Sequence, residues 1–219
     1  MGGDLEAFAA AAATELGAAH EAREIALRSC RAAIQACGKS IRATHRGETG
    51  LAAALAGEAR DALDAAHTAT AGHPALAGAG FLHDAEKEYA EAVLFGRLVD
   101  DGGALRGHTE IGVAPAAWLN GLAEAASELR RHTLDTLRAG DLPRAEHCLA
   151  AMDEVYGVLI GVDYPDAVTG GLRRTTDALR AVLERTRSDL TTTLLQARLQ
   201  ATIERALDAT GPGGAAGAR

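Results

Sequence analysis

Apolar positions recur at helical spacings along most of the chain, and glycine and proline interrupt them at intervals. The first periodic region runs from about Asp4 to Arg46, with Leu16, Ile25, Leu27, Ile34 and Ile41 at mixed helical spacings. It is long enough for one extended helix or two abutting ones. Gly47 and Gly50 stop it, and a second helix is expected from about Leu51 to Thr70, up to the Gly/Pro connection "AGHPALAGAG". A third spans about Phe81 to Val99 and is closed by "DDGGALRGH". Pro115 sits where a first helical turn tolerates proline, and Gly140 followed by Asp141 ends that helix. Further helices are expected from about Pro143 to Leu159 and, after a break at "GVDYP", from about Thr169 to Leu207. There is no strand-like run of β-branched residues and no internal repeat. The expectation is an all-α, single-domain bundle of six to seven helices over residues 1–208, with a disordered Gly/Ala-rich tail at 209–219.

Composition supports this. Ala and Leu are abundant, aromatic residues make up 3%, and there are five prolines, a mixture that costs little in a helix. A chain of 219 residues fits one domain better than two. The formal charge of −8 argues against a basic coat but leaves room for a local basic groove, so charge alone does not remove nucleic acid from the partners. Cys30, Cys37 and Cys148 lack metal-type spacing and read as core thiols in a reducing compartment. The N-terminus has acids among its alanines and no basic region ahead of an apolar one, so no signal peptide is expected. With no apolar run of membrane length, the expected location is cytoplasmic.

Two stretches carry the chemistry. In "EKEYAEAVLF", Glu88 and Glu91 are three residues apart and share a helix face, while Glu86 lies on another side and reads as a surface residue. In "GLAEAASEL", Glu124 and Glu128 are four apart and share a face of the next long helix. Both settings look packed rather than wet, and burying charge there without partners is costly. Four carboxylates brought together need protons or a cation, and hard oxygen ligands suit Mg²⁺ or Mn²⁺. Spacing by itself nevertheless favours solvated faces, with Glu128 pairing to Arg131 or His132.

Longer segments tip that balance. "AREIALRSCRAAIQACGKSIRATHRGE", the "EKEYAEAVLF" helix, "LAEAASELRRHTLDTLRAGDLPRAEHCLAAMDEVYGVLIGV" and "YPDAVTGGLRR" resemble the translin family in order, from about Ala22 to about Thr202. The family comprises translin and translin-associated factor X. The resemblance implies an all-α fold assembling into hollow oligomers that enclose single-stranded RNA or DNA, with a metal-dependent ribonuclease as the catalytic member. The acids of that member fall on Glu88, Glu91, Glu124 and Glu128, which places this chain in the factor X branch. Glu124 stands where the family usually has an aspartate, and the segment before Glu86, "AGAGFLHD", lacks translin's basic and aromatic cluster.

On this reading Glu91, Glu124 and Glu128 hold Mg²⁺ or Mn²⁺, and Glu88 completes the shell or holds the attacking water. The substrate is single-stranded RNA ahead of single-stranded DNA. Candidate phosphate contacts are Arg42, Arg46, Lys87, Arg130 and Arg131, of which the adjacent Arg130 and Arg131 cannot both point into one site. His45 reads as a cation at a helix C-terminus, Asp141 as a helix cap, and Tyr89 and Phe95 as core. Trp118 reads as packing a helix end or a subunit contact. The expected assembly is a homo-oligomer, and the acidic charge is compatible with a second, more basic subunit that loads RNA. Two rival readings stand: a non-catalytic single-strand-binding assembly subunit, and an all-α nucleoside triphosphate pyrophosphohydrolase, whose second acidic pair is typically ExxD where this chain has ExxxE.

Overall fold

The computed structural model of the protein describes residues 2–100 and 104–210. Six long helices carry the fold: α1 (Gly2–His45), α2 (Thr49–Thr70), α4 (Gly80–Val99), α6 (Pro115–Arg138), α7 (Leu142–Leu159) and α9 (Leu172–Thr210). Three single turns, α3 (Pro74–Ala77), α5 (His108–Ile111) and α8 (Asp166–Thr169), punctuate the connections. The described residues contain no strand, so the fold is all-α as expected. Part of the "DDGGALRGH" connection, residues 101–103, lies outside the described residues. So does the expected tail from 211 onward, whereas Ala209 and Thr210 still belong to α9.

Helix α1 is one continuous element of 44 residues, roughly 66 Å long at the α-helical rise. Its most deeply buried positions are small residues, with Ile34 and Ile41 partly buried beside them. Ala22, Ala26, Cys30, Ala33, Cys37 and Ala43 are buried, while Ile25 and Leu16 are 45% and 71% exposed. The reason is steric: a stripe of small side chains lets α2 approach closely, presenting its own Ala52, Ala59, Leu63 and Ala66. Ser40 Oγ donates to the Ala52 carbonyl at 2.8 Å and fixes that pair.

Helix α6 is central and packs against α4, α7, α8 and α9. Pro115 occupies its first turn, and Asp141 caps α7 by accepting from the Arg144 backbone N–H at 3.1 Å. Tyr89, Phe95 and all three cysteines are buried, and the thiols are free. The expected sixth helix begins later than its periodicity suggests. Gly170 and Gly171 take φ of 63° and 83°, a left-handed conformation that ends α8, and α9 starts at Leu172. No described helix is long and apolar enough to cross a membrane.

The first part of α1 and the last part of α9 extend beyond this body. Residues 3–18 of α1 and 198–209 of α9 are exposed throughout, and their large apolar side chains face solvent: Leu5, Phe8 and Leu16 on one, Leu199, Ile203 and Leu207 on the other.

Candidate metal centre

The site lies where α4 crosses α6. Gly121 makes the crossing close: a Cβ on it would meet the Ala90 Cβ and the Lys87 carbonyl oxygen at 2.7 Å and the Glu91 nitrogen at 2.9 Å. A hydrogen at that position therefore allows the two backbones to touch beside Glu88 and Glu91 on α4 and one turn before Glu124 on α6. Leu82, Ala85, Ala92 and Phe95 seat α4 in the core and leave its Glu88/Glu91 face turned to α6.

The crossing brings Glu88, Glu91 and Glu124 together, with one carboxylate oxygen from each lying within 4.8 Å of the others. Glu91 is only 8% exposed. Burial first, then the charges of Glu124, Glu88 and Glu128, push its carboxyl up to about 8, against the smaller opposing effect of Lys87. Burial also raises Glu88, with Lys87 opposing. Lys87 is the cation of the group: its Nζ donates to Glu124 Oε1 at 2.8 Å and lies 3.6 Å from Glu88 Oε1. Burial alone would lower the Lys87 pKa. The hydrogen bond to Glu124 and the surrounding acids outweigh it, so the net direction is up.

Glu128, the fourth expected acid, stands apart from this tight group. His45 Nε2 lies 2.8 Å from Glu128 Oε2, and that hydrogen bond holds the Glu128 carboxyl below the ordinary range against the effect of burial. His45 ends α1 as expected, but it is no solvated terminal cation. Its side chain is 3% exposed, its ring centroid is 4.8 Å from that of Phe95, and its Nδ1 is buried without a hydrogen-bond partner. The pairing expected for Glu128 with Arg131 or His132 is replaced by this contact across 83 residues of sequence. Sequence offered no signal for it beyond a histidine at a helix end. Glu86 corrects the sequence reading in the same way. Its side chain is 12% exposed, not a surface group, because it joins His67 Nε2 at 2.8 Å and accepts from the Ala114 backbone N–H at 3.1 Å.

The candidate phosphate contacts divide. Arg42 is exposed on the last turn of α1, and Arg46, just beyond, forks onto Glu48. Arg130 is tied to α9 through Asp189 at 2.8 Å and Thr186 at 3.2 Å. Arg131 is exposed, close enough to Glu128 to favour its charged form. Arg130, Arg131 and Arg138 line a shallow groove of about 540 Å³ that also includes Glu128. Trp118 donates from Nε1 to the Arg106 carbonyl at 2.9 Å, packing the start of α6.

Chemically, the group is an all-oxygen donor set without nitrogen or sulfur, which suits a hard divalent ion. Such an ion, with ligands at about 2.1 Å in octahedral geometry, sets neighbouring oxygens about 3.0 Å and opposite ones about 4.2 Å apart, so the three acids draw together to close on it.

No protein-family model matches the chain. Among curated proteins it is 28% identical over 127 residues to an uncharacterized protein of Methanocaldococcus jannaschii, a match spanning 58% of this chain and only 56% of that relative. Solved structures match along nearly their whole length. AfC3PO is 32% identical with a TM-score of 0.78, covering 86% of this chain and 97% of that one. AfC3PO in a complex with duplex RNA is 31% identical with a TM-score of 0.75, covering 86% and 96%. Apo-NeC3PO, at 18% identity and a TM-score of 0.71 over 85% and 96%, shares the fold. C3PO is the complex of translin with translin-associated factor X, and with AfC3PO matched at 32% identity over 86% of this chain, the chain belongs to the translin family.

Proposed function

We propose that the protein is a metal-dependent endoribonuclease of the factor X type, cutting phosphodiester bonds in single-stranded RNA and working as a homo-oligomer. The observation that carries this reading is the convergence of Glu88, Glu91 and Glu124 within 4.8 Å at a crossing that buries one of them. Its kinship with C3PO, an endoribonuclease, supports it.

In this proposal Glu88, Glu91 and Glu124 hold Mg²⁺ or Mn²⁺. The ion's chemistry is Lewis acidity, which polarises a phosphoryl oxygen and acidifies a water ligand. Glu91 holds a proton until a cation or alkaline pH removes it, so loading the site releases that proton. Glu128, kept ionised by His45 and outside the tight group, is left to orient water and accept its proton. Arg131 and Arg42, exposed and on the two helices that carry Glu128 and His45, offer guanidinium forks to the RNA backbone. Arg46, Lys87 and Arg130 are already paired within the chain, which makes them weaker phosphate candidates.

One observation favours a second reading. Lys87 and His45 already satisfy acids of the cluster, as in a structural polar network, which would suit a non-catalytic RNA-binding subunit. The test is cleavage of 5′-labelled single-stranded RNA with Mn²⁺ by the wild type and by Glu91→Gln. Duplex RNA is included because AfC3PO was solved with it, and single-stranded DNA because of the family. The expected result is cutting by the wild type and a loss of about 10²-fold or more in Glu91→Gln. Retention of intact RNA by both proteins supports the binding subunit, and release of pyrophosphate from nucleoside triphosphates with all oligonucleotides intact supports the pyrophosphohydrolase.

A further inference from the structure

Lys87 is the anomaly of the site. A lysine beside three carboxylates is not a ligand, and a solvated lysine would face away from helix α6. Its Nζ instead lies 2.8 Å from Glu124 Oε1 on α6 and 3.6 Å from Glu88 Oε1 on its own helix, and its side chain is only 22% exposed. The ammonium thus spans two of the three acids that form the candidate metal group. The Lys87 carbonyl is one of the atoms closest to Gly121, so the backbone that carries this lysine is pinned at the crossing.

Electrostatics give that position a meaning. The charged carboxylates of Glu88 and Glu124 repel one another across the crossing, and a single positive charge between them offsets much of that repulsion. A divalent cation entering the group draws on Glu124, which now accepts from Lys87, and on Glu88, which lies beside its ammonium. The two cations therefore compete for the charge of the same carboxylates, Glu124 first.

We propose that Lys87 is a tethered counter-cation that holds Glu88 and Glu124 in place while the cluster is metal-free and gives up Glu124 when a divalent ion binds. Its ammonium is then left beside the loaded site without its carboxylate partner, where an RNA phosphate is the anion at hand. Lys87 is a positioning residue in the free protein and a phosphate contact only in the loaded one. This inference rests on the metal-site reading above.

The experiment is calorimetric titration of full-length wild type, Lys87→Met, Lys87→Arg and Glu124→Gln with Mn²⁺ at one fixed pH, followed by RNA retention with and without Mn²⁺. Circular dichroism shows whether each variant is folded. Removing the competing charge is expected to tighten Mn²⁺ binding in Lys87→Met by roughly tenfold, with Lys87→Arg close to the wild type and Glu124→Gln weakened. RNA binding should fall in Lys87→Met only when Mn²⁺ is present. Unchanged or weaker Mn²⁺ binding in Lys87→Met overturns the inference while leaving the metal site intact. Equal loss of RNA binding with and without Mn²⁺ overturns it too, by making Lys87 a permanent phosphate contact. Absence of Mn²⁺ binding by the wild type overturns both the inference and the metal reading.

Discussion

The α4–α6 crossing and the free ends of α1 and α9 break the usual rule of burial in opposite directions. At the crossing, carboxylates are drawn inside: Glu91 is 8% exposed with two more acids beside it. At the ends, large apolar side chains are left outside: Phe8 is 72% and Leu199 61% exposed. Each region is unfavourable taken alone, since charge loses hydration in one and hydrocarbon meets water in the other. The crossing calls for a cation, which it partly supplies itself through Lys87. The ends call for apolar cover, which the other described residues do not supply. Under the proposed function a metal completes the first, and we propose that a further copy of the chain covers the second, so the two should fail independently.

The largest expected effect tests that independence. Leu199→Glu with Ile203→Glu places two charges on the α9 extension, and we expect assembled protein to run as smaller species in analytical ultracentrifugation while Mn²⁺ binding per chain is retained. Loss of both together would mean that the ends help to form the site.

A smaller effect is expected from Gly121→Ala. The added methyl meets Ala90 and the α4 backbone below 3.0 Å, so the helices must part. We expect a loss of about 1–3 kcal/mol in chemical denaturation, with weaker Mn²⁺ binding because Glu124 retreats from Glu88 and Glu91. Unchanged stability would show that the crossing is looser than described.

A further effect is a pH dependence. Glu91 titrates at about 8 in the folded chain against an ordinary 4.5, so between these values the folded state keeps a proton that the unfolded chain releases. Stability of the metal-free protein should therefore fall, through this group, as pH rises from about 4.5 to about 8. Glu128, shifted the opposite way, contributes stability that is lost on acidification instead. The difference between wild type and Glu91→Gln isolates the first contribution, and parallel melting curves for the two across this window would contradict the burial of a titrating Glu91.

Much of the fold was legible because the helices are long, proline-free inside and punctuated by glycine. Pro115 and Asp141 act locally, at the helix starts where they were expected. The buried face of α1 was not legible, because large aliphatics dominate a periodicity count, whereas close approach of two helices selects small residues such as Ala26, Ala33 and Cys37. Glu88 and Glu91 could be grouped by spacing within one helix. Joining them to Glu124 required the family resemblance, because nothing local says which helices cross. His45 with Glu128, and His67 with Glu86, remained illegible for the same reason: each pair joins residues on different helices, and neither partner's neighbours mark the other.

The most direct test of the metal centre is the anomalous difference map of a crystal grown or soaked with Mn²⁺. The account predicts a strong peak bounded by the carboxylates of Glu88, Glu91 and Glu124, with Lys87 turned away from Glu124. Crystals at saturating Mn²⁺ that show no peak there, with the Lys87 hydrogen bond to Glu124 intact, would contradict it.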